Sequence, residues 1–347
     1  MHRPPPHSPR QFAYVGLLLA LLSASHCTSK RQIIDRDRGL IDTPVREGVA
    51  VEPLTGDLAD GARALHDGEV GEAKVALERY LATHPKSALA CYHLGLVAIE
   101  QERPVDAKRL FQQAFNLNSQ LHGALTHLGV LYLRSGEEVA AIRALEQALA
   151  MAPDDVRVLA NVAAARLLRG QWSEAIDAYK AALKIAPGHG SLLYDYALAL
   201  MQRMQWQPAL EALDEALSIR PQFARAWAAK VVCLQGMDRI DEAEATANQA
   251  DEVLLEKSAD NHVARARILV LRKQVGDAME QLQRAVALEP GNPGALLALG
   301  ELADAAGRKA LAVETYQKFL KNPARRGDDS KRIRDRLKLL QSAQPES

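Results

Sequence analysis

The sequence carries no net charge: 43 Lys and Arg stand against 43 Asp and Glu over 347 residues. A nucleic-acid partner would call for a strongly basic face, so none is expected. Cysteine is scarce, with three in the chain, and that excludes a disulfide-stapled scaffold. Catalytic signatures are missing as well: H-E-x-x-H, G-x-S-x-G, a Walker loop and C-x-x-C do not occur. Gly300 to Lys309, GELADAAGRK, ends in Arg-Lys but has the wrong loop length and no following Ser or Thr. The chain therefore reads as non-enzymatic, with no catalytic residue, cofactor, metal or small-molecule substrate. The apolar run Phe12–Leu22, FAYVGLLLALL, has 11 residues, too short for a membrane span of ~20.

What the sequence has instead is self-similarity. From Val156 to His189 it reads VRVLANVAAARLLRGQWSEAIDAYKAALKIAPGH. Leu159, Val162, Ala163 and Arg166 share one helical face, and Gly170 with Gln171 breaks the run. Ser173 is the expected N-cap of a second helix, in which Ala175, Tyr179, Ala182 and Ile185 share a face up to Pro187. Steps of 34 from Ala175 reach Ala141, Ala107 and Ala73 upstream, and Ala209 and Ala243 downstream; Ala278 follows after 35 and Ala312 after 34. Stops recur at Pro85, Pro153, Pro187, Pro221 and Pro290, and a small residue recurs at Gly95, Gly129, Ala163, Ala197, Ala266 and Gly300. A single hairpin cannot bury its apolar faces alone, so the pattern implies a stack of copies.

The 34-residue period with Leu125, Leu128, Gly129, Tyr132, Ala141, Leu145, Ala148 and Pro153 resembles the tetratricopeptide repeat. The resemblance covers residues 54–326. It implies an all-α superhelical solenoid of about eight helix-turn-helix repeats, right-handed by family analogy, with a capping helix and tail at 327–347. It says little about activity, because function belongs to sites placed on a fold. The repeats at 88–223 are the strongest. The first, 54–87, is weak, with Gly61, Ala62 and Ala64 in its first helix. The sixth, 224–257, has Ala247 at its aromatic place and Leu255 where proline is expected. Its second helix is expected to run long, from Asp241 to about Lys257. In the last helix Ile333, Leu337 and Leu340 form an apolar stripe, and the surrounding Lys331, Arg332, Arg334 and Arg336 are expected to be a solvated capping face.

The N-terminus reads as a processing segment. Arg3 and Arg10 flank the short apolar run; Ser23, Ala24, Ser25 and His26 follow, then Cys27. That order resembles a bacterial lipoprotein signal over 1–26, which implies lipidation of Cys27 and a tether over 27–53. His26 departs from the small residue usual before the cysteine, so cleavage after Ser25 and a soluble secreted protein stay open. Thr28 and Ser29 are not the acidic residue that retains such proteins in the inner membrane. The expected place is the outer membrane, facing the periplasm.

One column of side chains points to a partner. His93, His127, Asn161 and Asp195 are spaced by 34, with Tyr92 and Tyr194 one residue before their respective rungs. By resemblance this helix face lines the concave groove, so Tyr92, His93, His127, Asn161, Tyr194 and Asp195 are the expected partner-binding residues, with tyrosines as amphipathic anchors. The competing account is that polar groups at these positions satisfy neighbouring backbone. Envelope proteins are the expected partners. Repeat lipoproteins of gliding-motility machines are the nearest kind, with pilotins and cell-wall-synthesis adaptors as alternatives and a regulator with intrinsic enzymatic activity as a further one.

Overall fold

The computed structural model describes residues 53–254, 258–322 and 327–342. The leader, Cys27, the tether before Pro53, Leu255 and Pro323 lie outside the described residues. Among the described residues there are seventeen α-helices and no strand. They form eight hairpins and one further helix. The described residues up to Gly188 form one compact unit and those from His189 another.

The first unit holds four hairpins: α1 (Gly56–His66) with α2 (Val70–Thr83), α3 (Ala88–Glu100) with α4 (Pro104–Leu117), α5 (His122–Ser135) with α6 (Glu138–Met151), and α7 (Val156–Leu168) with α8 (Trp172–Ile185). The recurring Ala73, Ala107, Ala141 and Ala175 are all fully buried. The small residue of each first helix receives a large one from the second. A Cβ on Gly95 would stand 2.7 Å from Phe111 Cε1, and one on Gly129 would overlap Leu145 Cγ. Gly61 belongs to the same column, since a Cβ there would meet Leu77 Cγ at 2.6 Å. The weakness expected of the first hairpin is thus partly an instance of the rule. Ala163 and Tyr179 complete the series, both fully buried.

The second unit repeats the scheme in α9 (Gly190–Gln202) with α10 (Trp206–Ile219), α11 (Ala224–Gly236) with α12 (Ile240–Val253), α13 (Ala259–Leu271) with α14 (Val275–Leu288), and α15 (Pro293–Ala305) with α16 (Lys309–Lys321). Ala209, Ala243, Ala278 and Ala312 are fully buried. The sixth hairpin inverts the pairing. Its small site is Val231 and its large site Ala247, and both are fully buried. The two departures compensate in volume, as a close-packed interior requires. The expected elongation of α12 does not occur. It ends at Val253 after 14 residues, like α10 and α14. The helix bounds place the extra residue of the 35-residue step in the connection to α13.

Capping also differs from expectation. The N-cap of α8 is Gln171, which makes no side-chain cap, and Ser173 sits inside the first turn. Side-chain caps belong to first helices: Ser87 accepts from the Ala90 N–H at 3.0 Å, Asp155 from Arg157 at 2.9 Å, His189 from Leu192 at 3.2 Å and Asn292 from Ala295 at 3.0 Å. His189 is therefore a helix cap. Each hairpin turn carries one left-handed residue in the same register. It is Gly68, Gly136, Gly170 or Gly307 in four hairpins and Glu102, Met204, Asp238 or Lys273 in the others.

The last helix, α17 (Gly327–Ser342), buries Ile333 against the core of α15 and α16, with Leu337 and Leu340 partly covered. Its basic residues are not all solvated as expected. Arg332 pairs with the buried Glu301 at 2.6 Å, and Arg336 reaches Asp304 with two bonds of 2.6 and 2.8 Å. Cys91 and Cys233 are buried, and neither forms a disulfide among the described residues. Burial, reinforced by Asp214, pushes Cys233 up to about 12, which leaves it unreactive at neutral pH. No described helix is long and apolar enough to cross a membrane.

Candidate binding recess

In the first unit, α3, α5 and α7 place Tyr92, Gly123, Thr126, His127, Val130, Arg157 and Asn161 around a small recess open to solvent. The helical period explains the set. Arg157 and Asn161 share a face one turn apart, as do Gly123 and His127, and the 34-residue repeat stacks those faces. Gly123 supplies room at the wall: a Cβ there would stand 3.2 Å from Tyr92 Oη.

Tyr92 and His127 are joined across α3 and α5 by a 3.1 Å hydrogen bond between Tyr92 Oη and His127 Nε2. The His127 ring stacks on Phe111 at 4.9 Å between centroids with 12° between planes, while Tyr92 meets Phe111 edge-on at 5.6 Å. Phe111 is the residue that fills the hollow beside Gly95, so the recess wall is fixed to the hairpin core. Burial, with the charges of Arg157 and Arg134, lowers His127 to about 4, and burial alone lowers His93 to about 4. Both rings are neutral at pH 7. His93 Nδ1 has no hydrogen-bond partner among the described residues, and its ring packs edge-on to Tyr92 at 5.5 Å.

Arg157 is anchored rather than free. Its Nη2 meets Asp155 Oδ2 at 2.9 Å, and His122 Nε2 lies 3.5 Å from the same oxygen. Burial pushes Asp155 up, but hydrogen bonds from His122 and Arg157 outweigh it and hold the carboxyl well below the usual range. The recess thus presents a neutral imidazole, a phenol, an amide and a compensated guanidinium. Such a surface suits a polypeptide segment better than a free anion. Among the described residues no three His, Cys, Asp or Glu side chains are placed to hold a metal ion.

Tyr92, His127 and Asn161 come together at this recess, and His93 lies directly behind Tyr92. Tyr194 and Asp195 do not present a surface. They sit in the second unit at 4 and 0 % exposure, and Tyr194 packs on Phe223 at 4.9 Å. Both side chains are buried, so neither offers an exposed anchor on this surface. The half-exposed tyrosine of α9 is Tyr196. Sequence reasoning placed Thr126 and Val130 on this surface and passed over Gly123 and Arg157 as lining residues. The signal was available: they occupy the same face of the repeat as the column it did single out.

The tetratricopeptide-repeat family model matches residues 126–190 and 263–329. Over those residues the chain carries tetratricopeptide repeats. A tetratricopeptide repeat protein of Parabacteroides merdae superposes with a TM-score of 0.62 at 20 % identity, covering 73 % of this chain and 98 % of that one. The Pseudomonas aeruginosa pilF structure gives 0.51 at 21 % identity over 57 % of this chain and 90 % of that one. The APC/C Cut9–Hcn1 structure gives 0.57 at 19 % identity over 82 % of this chain and 55 % of its own. At these identities the likeness is one of fold. No curated protein matches the sequence. Over the matched residues, helix pairs with alanine at the crossing and a small residue beneath a large one build the repeat.

Proposed function

We propose that this chain is a non-enzymatic scaffold that holds a polypeptide segment of a partner protein against α3, α5 and α7. The observation that supports this is the recess at Tyr92, His127 and Asn161, whose imidazole is neutral at pH 7, whose guanidinium is paired with Asp155 and whose wall is fixed by Phe111. Asn161 offers both a donor and an acceptor, which matches a peptide group. The same proposal puts the chain on the periplasmic side of the outer membrane, anchored through lipid on Cys27, where its partners are proteins of an envelope complex. A gliding-motility machine is the assembly the tether and repeat array fit best.

Crosslinking in isolated envelopes, with mass spectrometry of the products, tests the reading. Asn161→Arg fills the recess without touching the hairpin core, so its melting temperature should match the wild type. A defined partner set that disappears with Asn161→Arg is the expected result. An unchanged set would move binding elsewhere on the chain. Intact mass of the mature N-terminus checks the anchor separately: a diacylated Cys27 is expected, and an unmodified terminus would mean a soluble protein.

A further inference from the structure

The last helix of the second unit carries charge that the rest of the chain does not. Between Lys321 and Lys338 stand eight basic and three acidic residues, against 35 basic and 40 acidic ones elsewhere. In a chain with no net charge, one basic segment concentrates positive potential at one place. Arg325 and Arg326 of that segment lie outside the described residues, and five of its basic residues stand on α17.

Those five divide between two faces. Arg332 and Arg336 are turned to α15, where Glu301 and Asp304 balance them. Lys331, Arg334 and Lys338 follow the spacing i, i+3, i+7 and so share a face of their own. All three are exposed, and no ion pair holds any of them among the described residues. Ile333, Leu337 and Leu340 pack on the core, so this basic stripe points away from the unit. Asp335 stands within the stripe and offsets part of its charge. Beside it Leu339 leaves 60 % of its surface in water.

We infer that this outer face of α17 docks on a bilayer surface rich in anionic phosphate head groups. Lys331 and Lys338 lie about 10 Å apart along the helix, a span that one small anion cannot serve and a sheet of head groups can. The helix is already held by its inner face, so the three cations are presented together without further folding. Leu339 adds an apolar contact that suits the head-group boundary and has no use against a hydrated polyanion such as nucleic acid. Each basic side chain near an anionic surface strengthens such docking about five-fold. The site depends neither on the recess at Tyr92 nor on a lipid at Cys27.

The test uses residues 27–347 with Cys27→Ser, a chain that keeps every described helix and excludes any lipid anchor. Co-sedimentation is measured with vesicles of phosphatidylcholine alone and with about one-third phosphatidylglycerol. Binding to the anionic vesicles should exceed binding to the neutral ones about 100-fold at low salt and fade as ionic strength rises. Lys331→Gln/Arg334→Gln/Lys338→Gln should lose that preference with an unchanged melting temperature, since none of the three packs on the core. Asp335→Asn should strengthen binding about five-fold, a gain that a merely solvated face would not give. Equal binding to both vesicles, an unaltered triple variant, or no gain in Asp335→Asn would each overturn the proposal. So would tighter binding to a random-sequence DNA duplex than to the anionic vesicles, or displacement by inorganic phosphate at matched ionic strength.

Discussion

Gly129 and Gly136 do two different jobs, and substitution separates them. Gly129 lies under Leu145 with no room for a Cβ. Gly129→Ala should cost about 1–3 kcal/mol by overpacking, measured by urea unfolding. Gly136 has open space around it but a φ of 80°. Gly136→Ala should cost only about 1 kcal/mol, from the left-handed conformation itself. The converse holds where the same turn position carries a side chain: Met204→Gly, at φ 55°, should be neutral or slightly stabilising. Titratable residues of the first unit make a separate statement. His93 and His127 are held near 4 in the folded state against a reference of 6.5. The unfolded chain therefore binds more protons between those values, and stability should fall as pH drops from about 6.5 toward 4. Asp155 is also depressed, so its contribution is present above the ordinary carboxylate range and is lost as pH falls below it. Thermal melts against pH should show a shallower loss between 6.5 and 4 for His127→Gln, and a shallower loss at lower pH for Asp155→Asn.

At the scale of the helix pair, the sixth hairpin is the informative one. Val231 and Ala247 exchange the small and large roles held elsewhere by pairs such as Gly95 and Phe111. Val231→Ala alone should leave a void, and Ala247→Leu alone should overpack, each destabilising by about 1–3 kcal/mol. Together they rebuild the arrangement of the neighbouring hairpins, so the double variant should be more stable than either single one. A double-mutant cycle by urea unfolding checks this, and strict additivity would mean the two sites do not compensate. The helix-pair scale is also where the sequence was most legible. Spacing alone named eight alanines that are all fully buried. Small side chains at a fixed interval have one physical explanation, the close crossing of two backbones. Polar side chains have several. Nothing local distinguishes Tyr92, which bonds to His127 in the next hairpin, from Tyr194, which is buried on Phe223. Arg332 and Arg336 read as solvent-facing because their acids lie 31 and 32 residues away. The direction of a polar group is set by the neighbouring helix, and that information is not in the helix that carries it.

At the scale of the whole molecule, a repeat protein distributes stability by neighbour contacts, so the end of a stack has to be closed. In the second unit α17 closes it by covering apolar surface through Ile333 and by pairing Arg332 with Glu301 and Arg336 with Asp304. Removing α17 would therefore do more than shorten the chain. It would strip the core of α15 and α16 and leave Glu301, nearly fully buried, without its counter-charge. An uncompensated buried carboxylate is a larger penalty than the loss of an exposed ion pair. A chain ending at residue 322 should lose amide-exchange protection first in α15 and α16, then in α14, with the effect fading toward α9. Arg332→Met isolates the electrostatic part: it should reduce protection in α15 while α17 stays docked through Ile333. A uniform loss across the second unit would show global cooperativity in place of neighbour coupling, and no loss at all would mean that α17 does not close the stack.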